Sequence, residues 1–257
     1  MKPKIVFIHG MFMNPTCWEE WTPFFEAKGF ECIAPPWPFH EGDPAVLRKN
    51  IPADLGKLTL DGVVNKFVEI INGMTEPPIL IGHSMGGLVV QLLISQGKGK
   101  MGVCIDSAAP NGMLSLKWSF FKSNLPAINP LKGNSPAIMT PEHFQYTFCN
   151  TMSLEETKAV LEKYVVPESR NVPRSSTKAA GKIDLKKAHA PLLFIAGEKD
   201  NIIPASLNKK NFDAYSDKTS KKEFKVFEDR THFICGQKNW QEVAEYCVGW
   251  IAECSKN

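Results

Sequence analysis

The 257-residue sequence has little that would mark a metal site or a nucleic-acid-binding face. Its seven cysteines form no Cys-x-x-Cys pair and lack the spacing of zinc ligands, and neither a dinucleotide fingerprint nor a phosphate loop occurs. Thirty basic residues against 27 acidic ones leave a net charge of only +3, and the lysine doublets are scattered along the chain. These absences predict a protein without a metal, a cofactor or a nucleic-acid partner.

Signals for secretion and for membrane insertion are also lacking. Only four apolar residues lie between Lys4 and His9, too few for the core of a signal peptide, and the odd cysteine count favours a reducing compartment. Residues 77–97 carry no charge, but four glycines and the side chains of His83, Ser84 and Gln91 interrupt the stretch. It therefore predicts a buried strand and a buried helix rather than a membrane span. We expect a cytoplasmic protein with no membrane partner.

Short apolar runs alternate with amphipathic segments along the chain, which is typical of a parallel sheet covered by helices. The apolar runs predict strands over residues 4–8, 30–34, 79–81, 102–107, 191–196 and 223–228. Helical spacing of apolar residues predicts helices over residues 16–28, 59–73, 88–96 and 238–253. The expected fold class is therefore α/β, with a mostly parallel sheet of about six strands and helices on both faces.

The connection between the fourth and fifth predicted strands is far longer than a crossover helix with its loops requires. It carries helix signals of its own, including a capping box formed by Ser153 and Glu156. We therefore predict a helical cap, inserted over residues 111–185. The core to which it is attached is predicted to comprise residues 1–110 and 186–257.

The pattern G-x-S-x-G occurs at residues 82–86, between a predicted strand and a predicted helix. This context is informative because a nucleophilic serine is held at a sharp strand-to-helix turn, where flanking glycines allow close packing. The hydroxyl of Ser84 would project from the carboxyl end of the sheet, beside a helix N-terminus. A further glycine at position 87 favours this interpretation over an ordinary glycine-rich turn. Ser84 is accordingly the predicted nucleophile.

A serine hydroxyl needs a neighbouring base to accept its proton. Of the six histidines, His232 follows the last predicted strand and so is expected at the same edge of the sheet as Ser84. The acid that orients the imidazole should follow another strand. Asp200 and Asp106 both satisfy that condition, and Glu198 is a minor contender.

Acyl transfer also requires two backbone N–H groups that stabilise the developing alkoxide. One is expected from Met85, which follows the nucleophile directly. The other is expected from the loop after the first strand, where Gly10 allows the backbone to approach closely. In that loop Met11 is the preferred donor and Phe12 the alternative.

Together these stretches resemble the α/β-hydrolase family of the lipase and esterase type. The matching stretches are residues 8–11, 82–87, 197–204 and 231–233. They occur in the family's order, and the resemblance implies the α/β-hydrolase fold and a hydrolytic mechanism. The family's chain order of serine, acid and histidine favours Asp200 as the acid. Residues 35–43 replace the family's Asp-x-x-Gly-x-Gly-x-Ser loop, so the pocket wall there departs from the family pattern.

The expected function is that of a serine hydrolase acting through an acyl-enzyme on small-molecule substrates, either apolar esters of short to medium acyl chain or lactones. Its substrate pocket is predicted to be apolar and to be lined by Phe12, Trp37, Phe39, Trp118 and Phe121. The same triad would serve a thioesterase, a lactonase, a carbon–carbon hydrolase or a perhydrolase. A slow ligand-sensing protein of the same fold is the alternative from a different class. The sequence leaves the oligomeric state open.

Overall fold

The computed structural model of the protein describes residues 3–256, and its centre is one sheet of six strands. The strands are β1 (Ile5–Ile8), β2 (Cys32–Ile33), β3 (Ile79–His83), β4 (Met101–Ile105), β5 (Leu192–Gly197) and β6 (Lys222–Phe227). They lie in the order β2-β1-β3-β4-β5-β6, and every neighbouring pair is parallel. This arrangement confirms the predicted α/β fold class and the expected number of strands.

Ten α-helices accompany the sheet in the described part of the chain. They are α1 (Trp21–Ala27), α2 (Pro44–Lys49), α3 (Leu60–Asn72), α4 (Met85–Ser95), α5 (Trp118–Ile128), α6 (Pro141–Thr147), α7 (Leu154–Tyr164), α8 (Asn171–Ser176), α9 (Ala205–Ala214) and α10 (Gln241–Cys254). Within residues 3–256, no helix combines the length and the apolar character that crossing a membrane would take.

Two N-terminal segments differ from the sequence-based expectation. The helix predicted over residues 16–28 divides into a 3-10 turn, Pro15–Trp18, and α1. Helix α2 was not predicted, although its start carries a recognisable signal. The carboxylate of Asp43 accepts hydrogen bonds from the N–H groups of Ala45 and Val46, and Pro44 occupies the first helical position.

Apolar side chains cover both faces of the sheet. In β1 the side chains of Val6 and Ile8 join one buried cluster, with α3 and α4, while Ile5 and Phe7 join a second cluster, with α1 and α10. Because successive strand residues point to opposite faces, a strand buried on both sides must be apolar throughout. The two clusters hold the sheet in place from both sides. The sheet in turn positions the loops at the carboxyl ends of its strands.

Helices α5 to α8 belong to the inserted segment, residues 111–185, which leaves the sheet after β4 and returns at β5. This segment is hydrogen-bonded to the loops at the carboxyl edge of the sheet. The hydroxyl of Ser123 donates to the carbonyl of Asn201 at 3.2 Å, and the amide of Asn150 donates to the carbonyl of Lys199 at 3.0 Å. The inserted segment therefore packs directly onto the loop that follows β5.

Candidate active site

Ser84 lies at the turn between β3 and α4, with φ 57° and ψ −122°. Non-glycine residues rarely adopt a positive φ, so this backbone is strained. The turn is possible because the residues two positions before and two positions after Ser84 are glycines. A Cβ on Gly86 would lie 2.2 Å from the carbonyl oxygen of Ile8, and one on Gly82 would lie 2.3 Å from that of Gly86. The strain holds the Ser84 hydroxyl at the carboxyl edge of the sheet.

His232 connects Ser84 to Asp200 by two hydrogen bonds. Its Nε2 is 2.9 Å from the Oγ of Ser84, and its Nδ1 is 2.6 Å from the Oδ2 of Asp200. Burial lowers the pKa of His232, so the imidazole is neutral at rest. In the tautomer that satisfies both contacts, Nδ1–H donates to Asp200 and Nε2 accepts the hydroxyl proton of Ser84.

Aromatic contacts fix the orientation of the His232 ring. The ring lies between those of His83, with centroids 4.6 Å apart, and Phe148, with centroids 4.9 Å apart. In addition, Nε2–H of His83 donates to the carbonyl of His232 at 2.8 Å. The sequence places His83 directly before the nucleophile but does not indicate this role. Its position beside the base depends on a contact between β3 and the loop after β6, which no local pattern reveals.

Asp200 is held by the loop that follows β5. Its Oδ1 accepts hydrogen bonds from the N–H groups of Ile202 at 2.7 Å and Ile203 at 2.8 Å. Burial raises the pKa of Asp200, and these two bonds oppose that shift because they stabilise the carboxylate. Glu198, the minor contender, instead accepts from the N–H of Asp229 at 3.2 Å and stays outside the hydrogen-bonded chain.

Asp106, the other candidate acid, is buried next to Asp200. Its Oδ1 accepts from the N–H of Gly197 at 2.7 Å, and its other oxygen faces the Asp200 carboxyl group. Burial and then repulsion by Asp200 raise the pKa of Asp106. Two adjacent buried carboxyl groups cannot both ionise readily. One of the two carboxyl groups is therefore expected to hold a proton. Because Asp200 accepts two backbone N–H bonds and Asp106 accepts one, we assign this proton to Asp106.

One group of potential metal ligands lies within this site. Among residues 3–256, the ligand atoms of His83, Asp106 and His232 lie within 4.8 Å of one another, and all three side chains are buried. Each also takes part in the hydrogen bonds just described. The cluster is therefore accounted for by the hydrogen bonds of His83 and His232 and by the hydrogen bond of Asp106 with Gly197.

The N–H groups of Met11 and Met85 are the candidate oxyanion donors. Met85 begins α4, where a helix leaves its first N–H groups without intrahelical acceptors. Neither N–H has an acceptor within residues 3–256. The N–H of Phe12, the alternative donor, is instead directed to the Oε2 of Glu168 at 3.3 Å. This contact leaves Met11 as the candidate in that loop.

Glu168 belongs to the inserted segment and is fully buried beneath the Met11–Phe12 loop. Its Oε1 accepts from the N–H of Ser169 at 2.6 Å, and its Oε2 is 3.3 Å from the Nε2 of His40. Burial alone would lower the pKa of His40, but Glu168, the carbonyl of Pro38 and the charge of Glu41 together outweigh burial and raise that pKa. The N–H of Val166 also donates to the carbonyl of Phe12 at 3.0 Å. The inserted segment thus holds the Met11–Phe12 loop through two hydrogen bonds, and Glu168 also forms a buried ion pair with His40. Local sequence patterns indicate neither contact.

An apolar cavity of about 310 Å³ lies beside Met85, the residue that follows Ser84. Its lining includes Met85, Ala108 and Ile203 from the strand ends and Phe121, Leu125 and Ile128 from α5. Of the predicted pocket residues, only Phe121 lines it. Trp37 is fully buried and stacks on His9, and Phe12 and Phe39 pack in the same cluster. Trp118, the first residue of α5, is 73% exposed and does not line the cavity.

The sequence matches the family described as the alpha/beta hydrolase family over residues 5–246. No curated protein gives a significant match. A monoacylglycerol lipase of Paleococcus ferrophilus has a similar structure, with 21% identity, a TM-score of 0.72 and coverage of 97% of this chain and 94% of that one. An extracellular α/β-hydrolase of a Paenibacillus species shares 24% identity, with a TM-score of 0.71 and coverage of 96% and 98%. A methylesterase of Arabidopsis shares 16%, with a TM-score of 0.70 and coverage of 98% and 99%. At such identities these similarities show the fold.

Proposed function

The chain belongs to the α/β-hydrolase family, and from this premise we propose that it is a serine hydrolase of carboxylic esters with apolar acyl groups. The observation that carries the proposal is the continuous pair of hydrogen bonds from Ser84 through His232 to Asp200, at 2.9 Å and 2.6 Å. Such a chain activates a hydroxyl group that would otherwise be a weak nucleophile. Esterase and lipase activities named for the similar structures agree with this choice.

In the proposed reaction, the Oγ of Ser84 attacks the ester carbonyl while His232 accepts the hydroxyl proton. The N–H groups of Met11 and Met85 stabilise the negative oxygen, and Asp200 stabilises the imidazolium. Collapse of the intermediate breaks the carbonyl–alkoxy bond, and His232 returns the proton to the leaving alcohol. Water then attacks the acyl-enzyme with His232 as base, which releases the acid and regenerates Ser84.

The cavity beside Met85 is the proposed site for the acyl group. Its volume of about 310 Å³ is at the lower end of the range for small-molecule pockets. Asn124, Ser176 and Thr177 are its polar lining residues, and the rest of the lining is apolar. We therefore expect a short to medium acyl chain to bind there by burial of its methylene groups.

A series of p-nitrophenyl esters from acetate to octanoate tests this function. We expect many turnovers per enzyme molecule and a kcat/KM that rises with acyl length until the cavity is filled. Each buried methylene contributes up to about 0.8 kcal/mol. Release of only one equivalent of p-nitrophenol would favour the slow ligand sensor, and no release from any ester would contradict the proposal.

A further inference from the structure

The outer surface of the inserted segment carries an apolar patch that the chemistry of the active site does not explain. Eight large hydrophobic side chains are exposed in the described part of the chain, and seven of them lie between residues 114 and 138. The most exposed are Leu116 at 93%, Leu131 at 92% and Trp118 at 73%. Exposed apolar side chains gathered in one region indicate a binding surface, whereas scattered ones need no explanation.

This patch is continuous with the cavity beside Met85. Leu114, Leu125 and Ile128 are exposed and also line the cavity. Leu114 and Leu116 further line an adjoining open groove of about 410 Å³, and Leu207 contributes to both hollows. An apolar chain that lies on the patch could therefore pass into the cavity while it stays in contact with apolar side chains.

The charged residues nearest to the patch in the sequence, and those that line its groove, are basic. Between Asp106 and Glu142 the sequence has three lysines and no acidic residue. Lys117 and Lys210 line the groove beside the exposed leucines. Exposed tryptophan with flanking lysines is typical of surfaces that lie in the headgroup region of a bilayer, where lysine side chains reach the lipid phosphates. The composition is thus complementary to an anionic lipid surface.

We propose that this docking patch, formed by Leu114, Leu116, Trp118, Leu125 and Ile128, binds the surface of an anionic lipid bilayer and receives an acyl chain from it. Naming lipid esters as the substrate class rests on the proposed function, whereas the docking itself needs no turnover. Peripheral docking also needs no membrane-spanning helix, and it is a proposal that departs from the sequence-based expectation of no membrane partner.

A second copy of the chain fits the patch less well than a lipid surface does. A two-fold contact brings the same surface of both copies together. The lysines beside the patch would then face the lysines of the other copy, which is unfavourable when their charges leave water. Anionic headgroups, in contrast, would neutralise them.

Vesicle flotation with the Ser84→Ala protein measures docking in the absence of turnover. We expect binding to vesicles of equal parts phosphatidylcholine and phosphatidylserine to be at least about tenfold tighter than binding to phosphatidylcholine alone, because each lysine near the surface contributes about 1 kcal/mol. Added salt should reduce that difference, because it screens the charges.

Surface variants locate the binding face. The double variant Leu116→Ser/Trp118→Ser should bind anionic vesicles at least about tenfold more weakly, because it removes two large apolar side chains from the interface. Val46→Ser is the matched control, since Val46 is 55% exposed in α2 and is the one exposed large hydrophobic residue outside residues 114–138 in the described chain. Its binding should equal that of the parent protein.

Three results would overturn the docking proposal. The first is that the protein does not float with anionic vesicles. The second is that the double variant and Val46→Ser weaken vesicle binding equally. The third is that the protein forms a concentration-dependent dimer, which the double variant abolishes. The last result would assign the patch to a second copy. Vesicle binding without ester hydrolysis would contradict the proposed function but support docking. Ester hydrolysis without vesicle binding would support the proposed function but contradict docking.

Discussion

At the scale of single residues, two buried carboxyl groups lie side by side and have different partners. Asp200 receives the Nδ1–H of His232 and the N–H groups of Ile202 and Ile203, whereas Asp106 receives only the N–H of Gly197. The group with more donors is the better stabilised anion. We infer that Asp106 donates its proton to Asp200 and does not orient the imidazole itself.

Replacing each acid by asparagine separates these roles. Asp200→Asn should lower kcat/KM on the order of 10⁴-fold, because an amide at that position favours the wrong tautomer of His232. Asp106→Asn should cost less than about tenfold, since its amide can still donate to Asp200 and accept from Gly197. Ester hydrolysis is measured in both after thermal unfolding has confirmed an intact fold. A larger loss in Asp106→Asn would move the acid to that position.

The buried pair of His40 and Glu168 gives a prediction for stability. Because the pKa of folded His40 is raised above its ordinary 6.5, the pair stabilises the protein fully below that pH. Its contribution is lost as the pH rises through the folded pKa. His40→Gln should therefore lower the free energy of unfolding by about 3–5 kcal/mol at acidic pH, and by less as the pH rises. Urea denaturation of both proteins across this range measures the difference.

Glu168→Gln provides the companion measurement. It removes the other partner, so its stability difference from the parent protein should decline with pH in the same way. A difference that stays constant with pH, or that grows as the pH rises, would show that His40 is not charged in the folded protein.

At the scale of elements, α5 turns one face toward the cavity along only part of its length. Phe121 lines the cavity, whereas Trp118, three residues earlier and at the first position of α5, is 73% exposed. Both residues were predicted to line the substrate pocket, and their spacing places them on one helical face. Spacing cannot show how much of that face is covered, because the covering depends on the elements packed against the helix.

Phe121→Ala tests the inward side of α5. We expect kcat/KM to fall more for octanoate than for acetate esters, because each methylene that loses its contact costs up to about 0.8 kcal/mol. Trp118→Ala is the comparison variant, and it should affect the dissolved esters alike. Parallel losses across the acyl series in Phe121→Ala would contradict a role for Phe121 in the acyl pocket.

Local signals explain why much of the architecture could be predicted from the sequence. The apolar runs at β1, β3 and β5 are short and end at turn residues, so the existence of these strands could be predicted. The glycines around Ser84 mark a turn that only glycine permits, so the candidate nucleophile could be named. Helix α2 was missed because its capping signal precedes a segment too short to show periodicity.

At the scale of the whole molecule, the contacts that could not be predicted are the long-range ones. Glu168 binds the N–H of Phe12 across 156 residues of chain. Asp106 and Asp200 meet because β4 and β5 are neighbours in the sheet. Such pairs leave no local pattern, so they become visible only when the tertiary structure is known.

The central claim is that Ser84 is a nucleophile activated by His232. Covalent labelling with a fluorophosphonate probe tests it most directly, with the modified peptide identified by mass spectrometry. We predict stoichiometric labelling on Ser84 and none in Ser84→Ala, whose ester turnover should fall by on the order of 10⁴-fold or more. Labelling of another residue, or undiminished labelling of the Ser84→Ala protein, would contradict the account.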